Sequence, residues 1–199
     1  MSWIATIPED EADGRLRRLY ERVAGPDGKV DNILRVHSLR PHTLEGHLGL
    51  YKAALHHTGN VLPVWLLEVV GIQVSLINGC DYCVAHHYAG LCRLIGEVAA
   101  RPIRAALESG ERPPGFEARE GALLAYSERL TRTPSAVTAA DIAALRAAGF
   151  DDGEIVEVNQ VASYFAYANR TVQGLGVTTA GDVLGRSPGG SDPADWSHG

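Results

Sequence analysis

The sequence predicts an all-α protein, because helical patterning is strong along the chain and strand patterning is nearly absent. Alternating runs of β-branched and aromatic residues bounded by turns, which are typical of strands, are almost missing from the 199 residues. Apolar residues instead recur at helical spacing, supported by alanine, in LRRLYERVA, EGALLAYSERL, TAADIAALRAAG and EIVEVNQVASYFAYANR. The length is sufficient for one domain with a substantial core.

Eight helices are predicted, and they follow one another with short connections. Their predicted ranges are 9–24, 42–57, 63–78, 81–96, 97–109, 116–131, 139–148 and 152–174. Loops are expected at 25–32, 110–115 and 132–137. Thr138 precedes Asp141 by three residues, which is the spacing of a capping box at a helix start. Asp151 and Glu154 repeat this spacing before the last helix.

Residues 1–176 are predicted to form a single domain, because no linker, repeat or low-complexity block interrupts them. From Val177 onward the sequence becomes rich in Gly, Ser, Pro and Asp, as in GRSPGGSDPADWSHG. We expect residues 177–199 to be a polar tail that is loosely ordered unless it docks on a neighbour.

The composition excludes several classes of protein. A net charge of −6 provides no basic surface for nucleic acid or for an anionic membrane. Three cysteines are too few, and odd in number, for the disulfide scaffold of a small secreted domain. The chain start lacks a signal-peptide pattern, and the most apolar segment, 61–79, carries Glu68 and Gln73 without basic flanks. We therefore expect a soluble, cytoplasmic protein.

Glu68 is the first residue that indicates chemistry. It is the only ionisable side chain in 61–79, a segment predicted to be a helix that is apolar on nearly all sides and therefore buried. A buried carboxylate without a partner is energetically unfavourable and shifts toward its neutral form. Glu68 is therefore expected to have a partner or a chemical role.

Two cysteines with C-x-x-C spacing follow at the start of the next helix. Asn78 and Gly79 are predicted to end the preceding helix, which places Cys80 at or near the N-cap and Cys83 in the first turn. Unpaired backbone N–H groups at this position stabilise a thiolate and lower its pKa. In a cytosolic protein such a pair is used for redox chemistry or for metal binding.

His87 lies four residues after Cys83, so the two side chains share a face of the helix. Glu68 lies ten residues before Asn78, which is about 15 Å of helix. If the two helices form an antiparallel hairpin, Glu68 comes level with His87. We expect the carboxylate to orient the imidazole, and the imidazole or a held water to accept the thiol proton.

The spacing Glu-x11-Cys-x-x-Cys-x-x-x-His resembles that of the alkyl hydroperoxidase D and carboxymuconolactone decarboxylase superfamily. The chain is most similar to the branch of uncharacterised peroxidase-related proteins, in the segments NILRVHSLRP, VSLINGCDYCVAHH, TAADIAALRAAGF and NRTVQGLGV. The resemblance spans residues 3–177. It implies a compact, multi-helix AhpD-like domain with the CxxC at the N-terminus of a central helix, and assembly into homo-oligomers.

The resemblance also implies roles for individual residues. Cys83 matches the cysteine that is oxidised to a sulfenic acid, and Cys80 matches its disulfide partner. Glu68 and His87 match the proton-relay residues. Two features depart from the family pattern. Tyr82 stands where alkyl hydroperoxidase D has a histidine between its cysteines. The segment PVWLL before Glu68 stands where related proteins usually carry several charged residues.

Two neighbouring aromatic residues are candidates for supporting contacts to this group. Tyr82 is interpreted either as a hydrogen-bond donor that supports the site or as a packing residue. His86 is one residue round the helix from His87 and is expected to be structural or solvated. The remaining histidines, which carry no neighbouring carboxylates or thiols in the pattern, are expected to be ordinary residues.

The sequence thus predicts a thiol-dependent antioxidant enzyme, a peroxidase-type oxidoreductase that uses the CxxC pair to reduce hydroperoxides or a partner disulfide. No organic or metal cofactor is expected, and a dithiol or disulfide protein is the expected electron donor. One alternative is a carboxymuconolactone-decarboxylase-like acid/base enzyme that uses Glu68 and His87 without the thiols. A second alternative is a non-catalytic interaction protein that senses redox state or holds zinc with His86 or His87.

Overall fold

The computed structural model describes residues 2–186, and every regular element within them is helical, which confirms the predicted all-α class. The α-helices are α1 (Gly14–Val23), α2 (Asn32–Arg35), α3 (Pro41–Tyr51), α4 (Val64–Ile77), α5 (Asp81–Ile95), α6 (Glu97–Ser109), α7 (Ala118–Arg132), α8 (Ala139–Ala147) and α9 (Asp152–Leu175). A π-helical turn (Lys52–His56) continues α3, and a short 3-10 turn (Pro134–Ala136) precedes α8.

The observed helices differ from the predicted ones mainly near the N-terminus. The first helix begins at Gly14 and not at residue 9, because Asp13 is extended and Gly14 has a φ of +48°. The short helix α2 was not predicted, and the π-helical turn ends the regular α-helical hydrogen bonding of the predicted 42–57 helix at Tyr51. The capping boxes predicted for the last two helices are present.

Helix α4 lies at the centre of the core. It packs against α5, α6, α7 and α9, and its buried side chains include Leu67, Val70 and Val74. This environment explains why α4 is apolar around its whole circumference. The tight turn after α4 is made at Gly79, whose φ is +68°, and it returns the chain as α5 antiparallel to α4.

Gly71 of α4 lies directly against the Phe165 ring of α9. A Cβ atom at position 71 would lie 2.2 Å from atoms of the fully buried Phe165 ring. Only glycine at this position lets the ring occupy the space between the two helices without a shift of either. The contact matters for function because the same ring packs on a side chain of the candidate site, as described below.

The chain beyond α9 returns to the domain surface. Residues 178–186, which we call the strap, pack against the segment around α2 and against α5, with the side chains of Asn32 and Arg93 donating hydrogen bonds to strap carbonyl groups. We expected residues 177–199 to form a loosely ordered tail unless docked; the part up to residue 186 docks on the domain itself, and residues 187–199 lie outside the described residues. Within residues 2–186, none of the helices has the length and apolar character of a membrane span.

Replacing Gly71 by alanine is expected to lower the free energy of unfolding by about 1–3 kcal/mol, because the new methyl group overlaps the Phe165 ring. Urea denaturation measures the change. Gly174→Ala in α9 is the matched control: its Cβ meets open space, so the same substitution should be neutral or stabilising by up to about 1 kcal/mol. Equal stabilities of the two variants would contradict the packing described here.

Candidate active site

Glu68 of α4 and His87 of α5 form a buried hydrogen bond. Nδ1 of His87 lies 2.7 Å from Oε2 of Glu68, and the two side chains are only 14% and 3% exposed. The contact forms because α4 and α5 run antiparallel and bring the two residues level, as the spacing predicts. Since Nδ1 is engaged by the carboxylate, Nε2 is the ring nitrogen left for proton exchange.

Aromatic side chains hold the imidazole of His87 in place. The Phe165 ring centroid lies 4.5 Å from the imidazole centroid at an interplanar angle of 79°, and Tyr51 packs edge-on from another side at 6.3 Å. Both aromatic residues are buried, and Tyr51 is the last residue of α3 before the π-helical turn. This enclosure restricts rotation of the ring, so that its orientation toward Glu68 is maintained.

The two cysteines of the CxxC pair are in direct contact. Cys80 is the N-cap residue of α5, Cys83 lies in the first turn, and their sulfur atoms are 2.9 Å apart. Both are buried free thiols. Behind them Asn169 of α9 donates a hydrogen bond to Ser75 and accepts one from Asn78, which forms a polar layer inside the core.

The two thiols differ in acidity. The hydrogen bond with the Cys83 thiol is the main cause that lowers the pKa of Cys80; the Cys83 backbone N–H and Asn169 act in the same direction, against burial. The pKa of Cys83 is raised, first by its hydrogen bond with Cys80 and then by burial. The first negative charge of the pair therefore rests on Cys80. This differs from our expectation of a Cys83 thiolate, because the Cys83 thiol and the Cys83 backbone N–H both stabilise a charge on Cys80, whereas contact with Cys80 and burial disfavour one on Cys83.

Cys83 and His87 line the same small cavity. Its volume is about 50 Å³, room for a few water molecules, and its walls include Glu68, Tyr51 and Tyr164. Within residues 2–186, no hydrogen bond joins the Cys83 thiol to His87 directly, so a proton passing between them requires a molecule held in this cavity.

Cys80 faces a different space from Cys83. It lines an open surface groove of about 610 Å³ that runs between the start of α5 and the end of α9. The exposed indole of Trp3 lies on Gly176 at the edge of this groove. The two sulfurs of the pair thus border different spaces, a small cavity and a surface groove, although both thiols are buried.

Tyr82 and His86 both contact Asp182 of the strap. The Tyr82 hydroxyl donates to the Asp182 carboxylate at 2.7 Å and accepts from the backbone N–H of Ile33 at 3.2 Å. Nε2 of His86 lies 3.3 Å from the same carboxylate, and its ring stacks on Tyr82 at 4.5 Å. These contacts give Tyr82 a hydrogen-bond partner on the strap, and they give His86 an ionisable partner that the sequence did not indicate.

Asp31 is a buried acidic residue that sequence reasoning missed. Its pKa is raised to about 6, mainly by burial; the charge of Asp182 acts in the same direction, and His86 and Arg186 act against it. Asp31 precedes α2 and has the appearance of an ordinary helix N-cap, and Asp182 lies in a segment expected to be a tail. No local signal in the sequence connects either residue to the CxxC.

The histidines His37 and His56 are accounted for by hydrogen bonding and packing. Within residues 2–186, no group of three or more His, Cys, Asp or Glu side chains is arranged to hold a metal ion. His37 is hydrogen-bonded to Thr43, and burial lowers the pKa of His56 to about 4, so His56 is neutral at physiological pH. These residues are packed among aromatic rings, including the contact of His56 with Tyr51 at 4.9 Å.

Residues 41–128 match the carboxymuconolactone decarboxylase family. The matched range begins with α3, extends into α7, and includes Glu68, both cysteines of the pair and His87. The superfamily resemblance predicted from the sequence is confirmed by this match. The strap lies outside the matched range. No curated protein is similar enough to count as a relative.

Solved structures share the fold. A peroxidase-related protein from Ralstonia eutropha JMP134, with an alkylhydroperoxidase AhpD core, has a TM-score of 0.77 at 21% identity, covering 89% of this chain and 92% of that one. A second, from Silicibacter sp. TM1040, has a TM-score of 0.75 at 22% identity, covering 89% and 91%. The debrominase Bmp8 has a TM-score of 0.65 at 17% identity, covering 82% and 85%. A variant of Bmp8 is known with bound 2,3,4-tribromopyrrole.

The assignment of the first negative charge to Cys80 can be tested by titration in a Cys92→Ser background, in which only the pair contributes thiolate absorbance. The first thiolate should appear at a pH below the ordinary pKa of a cysteine thiol. Cys83→Ala should raise the pKa of Cys80, because the thiol donor is lost, whereas Cys80→Ala should lower the pKa of Cys83. A Cys80 titration that Cys83→Ala leaves unchanged would refute the assignment.

Proposed function

We propose that the protein is a thiol-dependent peroxidase in which Cys83 attacks the hydroperoxide. The observation that carries this proposal is the cavity of about 50 Å³ that Cys83 shares with the hydrogen-bonded pair Glu68 and His87. A nucleophile, a base oriented by a carboxylate, and a second sulfur within 2.9 Å are the groups that this chemistry needs.

The first step forms a sulfenic acid. The reduced pair ionises by passing one proton through a held water to His87, whose charge is balanced by Glu68. The Cys83 sulfur then attacks the near oxygen of the peroxide while its proton moves to Cys80; the S–O bond forms, the O–O bond breaks, and the departing alkoxide takes the proton from His87. The thiol is oxidised and the peroxide is reduced to an alcohol or, for hydrogen peroxide, to water.

The second step closes the disulfide. The Cys80 thiol attacks the sulfur of the sulfenic acid, and the hydroxyl group leaves with the Cys80 proton as water. The sulfur separation of 2.9 Å requires only a small approach to reach disulfide bonding distance. A dithiol protein, or another external dithiol, then reduces the disulfide by thiol–disulfide exchange.

We also propose that the protein forms a homo-oligomer and is located in the cytoplasm, on the basis of the family resemblance and the composition.

The size of the cavity favours a peroxide over a larger substrate. Pockets that bind drug-sized molecules usually have volumes of about 300–1,000 Å³, well above the space beside Cys83. A ring such as the tribromopyrrole bound by the Bmp8 variant is too large for the closed cavity. The shared fold with peroxidase-related proteins is consistent with peroxide chemistry and supports the proposal at the level of architecture.

Cys83→Ser should abolish hydroperoxide turnover in the presence of a dithiol, because the attacking sulfur is lost. Cys80→Ser should instead consume about one equivalent of peroxide and stop at the sulfenic acid, which a dimedone probe can trap. Cys92→Ser, outside the pair, is the control and should retain turnover. Turnover by Cys83→Ser at the rate of the unmodified protein would overturn the proposal.

Glu68→Gln should lower the rate of peroxide reduction by about 10²-fold or more, because the imidazole loses the carboxylate that balances its charge. Glu108→Gln, an exposed change on α6, is the control. The pH dependence of the rate is the decisive measurement. It should change in Glu68→Gln if the carboxylate acts through His87, whereas a loss of packing alone would lower the rate by the same factor at every pH.

Two further measurements distinguish the alternatives. An acid/base enzyme of the carboxymuconolactone-decarboxylase type keeps its activity after alkylation of the thiols, whereas the proposed peroxidase loses it. A non-catalytic protein that holds zinc contains stoichiometric metal by elemental analysis, and a redox sensor forms a reversible CxxC disulfide without measurable peroxide turnover.

A further inference from the structure

The end of the strap forms part of the wall of the small cavity beside Cys83. Gly185 and Arg186 form part of the cavity wall, together with Cys83, Glu68 and His87. The contact with α5 is unusually close: a Cβ atom at Gly185 would lie 2.7 Å from the backbone carbon of Ala89 and 2.8 Å from the backbone nitrogen of Gly90. Gly90 in turn borders the carboxylate of Glu68, since a Cβ there would lie 3.6 Å from Oε1.

Separate anchors hold the strap in this position. The Asp182 carboxylate accepts hydrogen bonds from the Tyr82 hydroxyl at 2.7 Å and from the backbone N–H of Asn32 at 3.1 Å. Arg93 donates to the carbonyl oxygen of Gly185 at 2.6 Å and to that of Leu184 at 3.0 Å.

The last strap residue, Arg186, is anchored to the loop that follows α1. Arg186 forms an ion pair with Asp27 at 2.7 Å, and its guanidinium lies against Gly25, where an added Cβ would overlap it. The Arg186 side chain is only 8% exposed although it is charged. None of the anchoring residues on the strap or on its partners is Cys83, Glu68 or His87, so the strap can be loosened while those three side chains are kept.

We propose that the strap restricts the site to the smallest hydroperoxides, hydrogen peroxide above all, and that organic hydroperoxides with bulky groups react only when the strap is displaced. This inference rests on the proposed peroxidase function and adds its substrate class. The argument is steric: the cavity of about 50 Å³ accepts a molecule close to water in size, whereas an aromatic hydroperoxide needs additional volume on the side where Gly185 and Arg186 form the wall.

The test compares oxidation of the CxxC pair by hydrogen peroxide and by cumene hydroperoxide. Gly185→Val pushes the strap away from α5, and Asp182→Ala removes its central anchor. Either variant should raise the ratio of the cumene hydroperoxide rate to the hydrogen peroxide rate at least about tenfold. This is the change expected when one charge-assisted hydrogen bond that holds the strap against the domain is lost. Gly174→Val, which meets open space, is the matched control and should leave the ratio unchanged. A ratio that stays constant in both strap variants would overturn the inference.

A second readout does not depend on peroxide chemistry. With Cys80 and Cys92 both replaced by serine, Cys83 is the only thiol, and its alkylation by iodoacetamide can be compared with that by a fluorescein maleimide. The strap variants should accelerate the bulky reagent about tenfold more than the small one. If hydroperoxides fail to oxidise the unmodified pair, the proposed function fails while this comparison still decides the role of the strap. Equal acceleration of both reagents would refute it.

Discussion

The hydrogen bond between Glu68 and His87 is the interaction on which the arrangement of the site depends. A carboxylate placed in the most apolar helix of the protein is tolerated only with a partner, because an unpaired buried charge strongly destabilises a fold. The partner comes from α5, and the contact fits one antiparallel register of α5 against α4. In that register Cys80 and Cys83 lie at the start of α5, beside the end of α4.

Burial makes a partner for Glu68 necessary, and it also strengthens the interaction between Glu68 and His87. In a small enclosed volume, hydrogen bonds and charges interact more strongly than in water, and the imidazole has one engaged nitrogen and one available nitrogen. The crowded contact of Phe165 with Gly71 supports this arrangement from α9, since the same ring packs on His87. Core packing and proton transfer therefore rely on the same side chains.

The all-α class and the contact of Glu68 with His87 could be predicted because their signals are local: helical periodicity, a turn at Asn78 and Gly79, and the ten-residue distance from Glu68 to that turn. The charge on Cys80 could not, because it depends on a sulfur separation of 2.9 Å that spacing alone leaves undetermined. The role of Asp182 could not be predicted from the sequence either. It contacts a tyrosine far away in the chain, and nothing in a Gly- and Thr-rich segment indicates which surface it will meet.

The placement of the two sulfurs beside different spaces has a consequence for electron flow. A disulfide between Cys83 and Cys80 would link a sulfur that lines the small cavity to a sulfur that lines the groove beside Trp3. A reductant that attacks Cys80 from the groove would release the Cys83 thiol without entering the cavity in which Cys83 meets the oxidant.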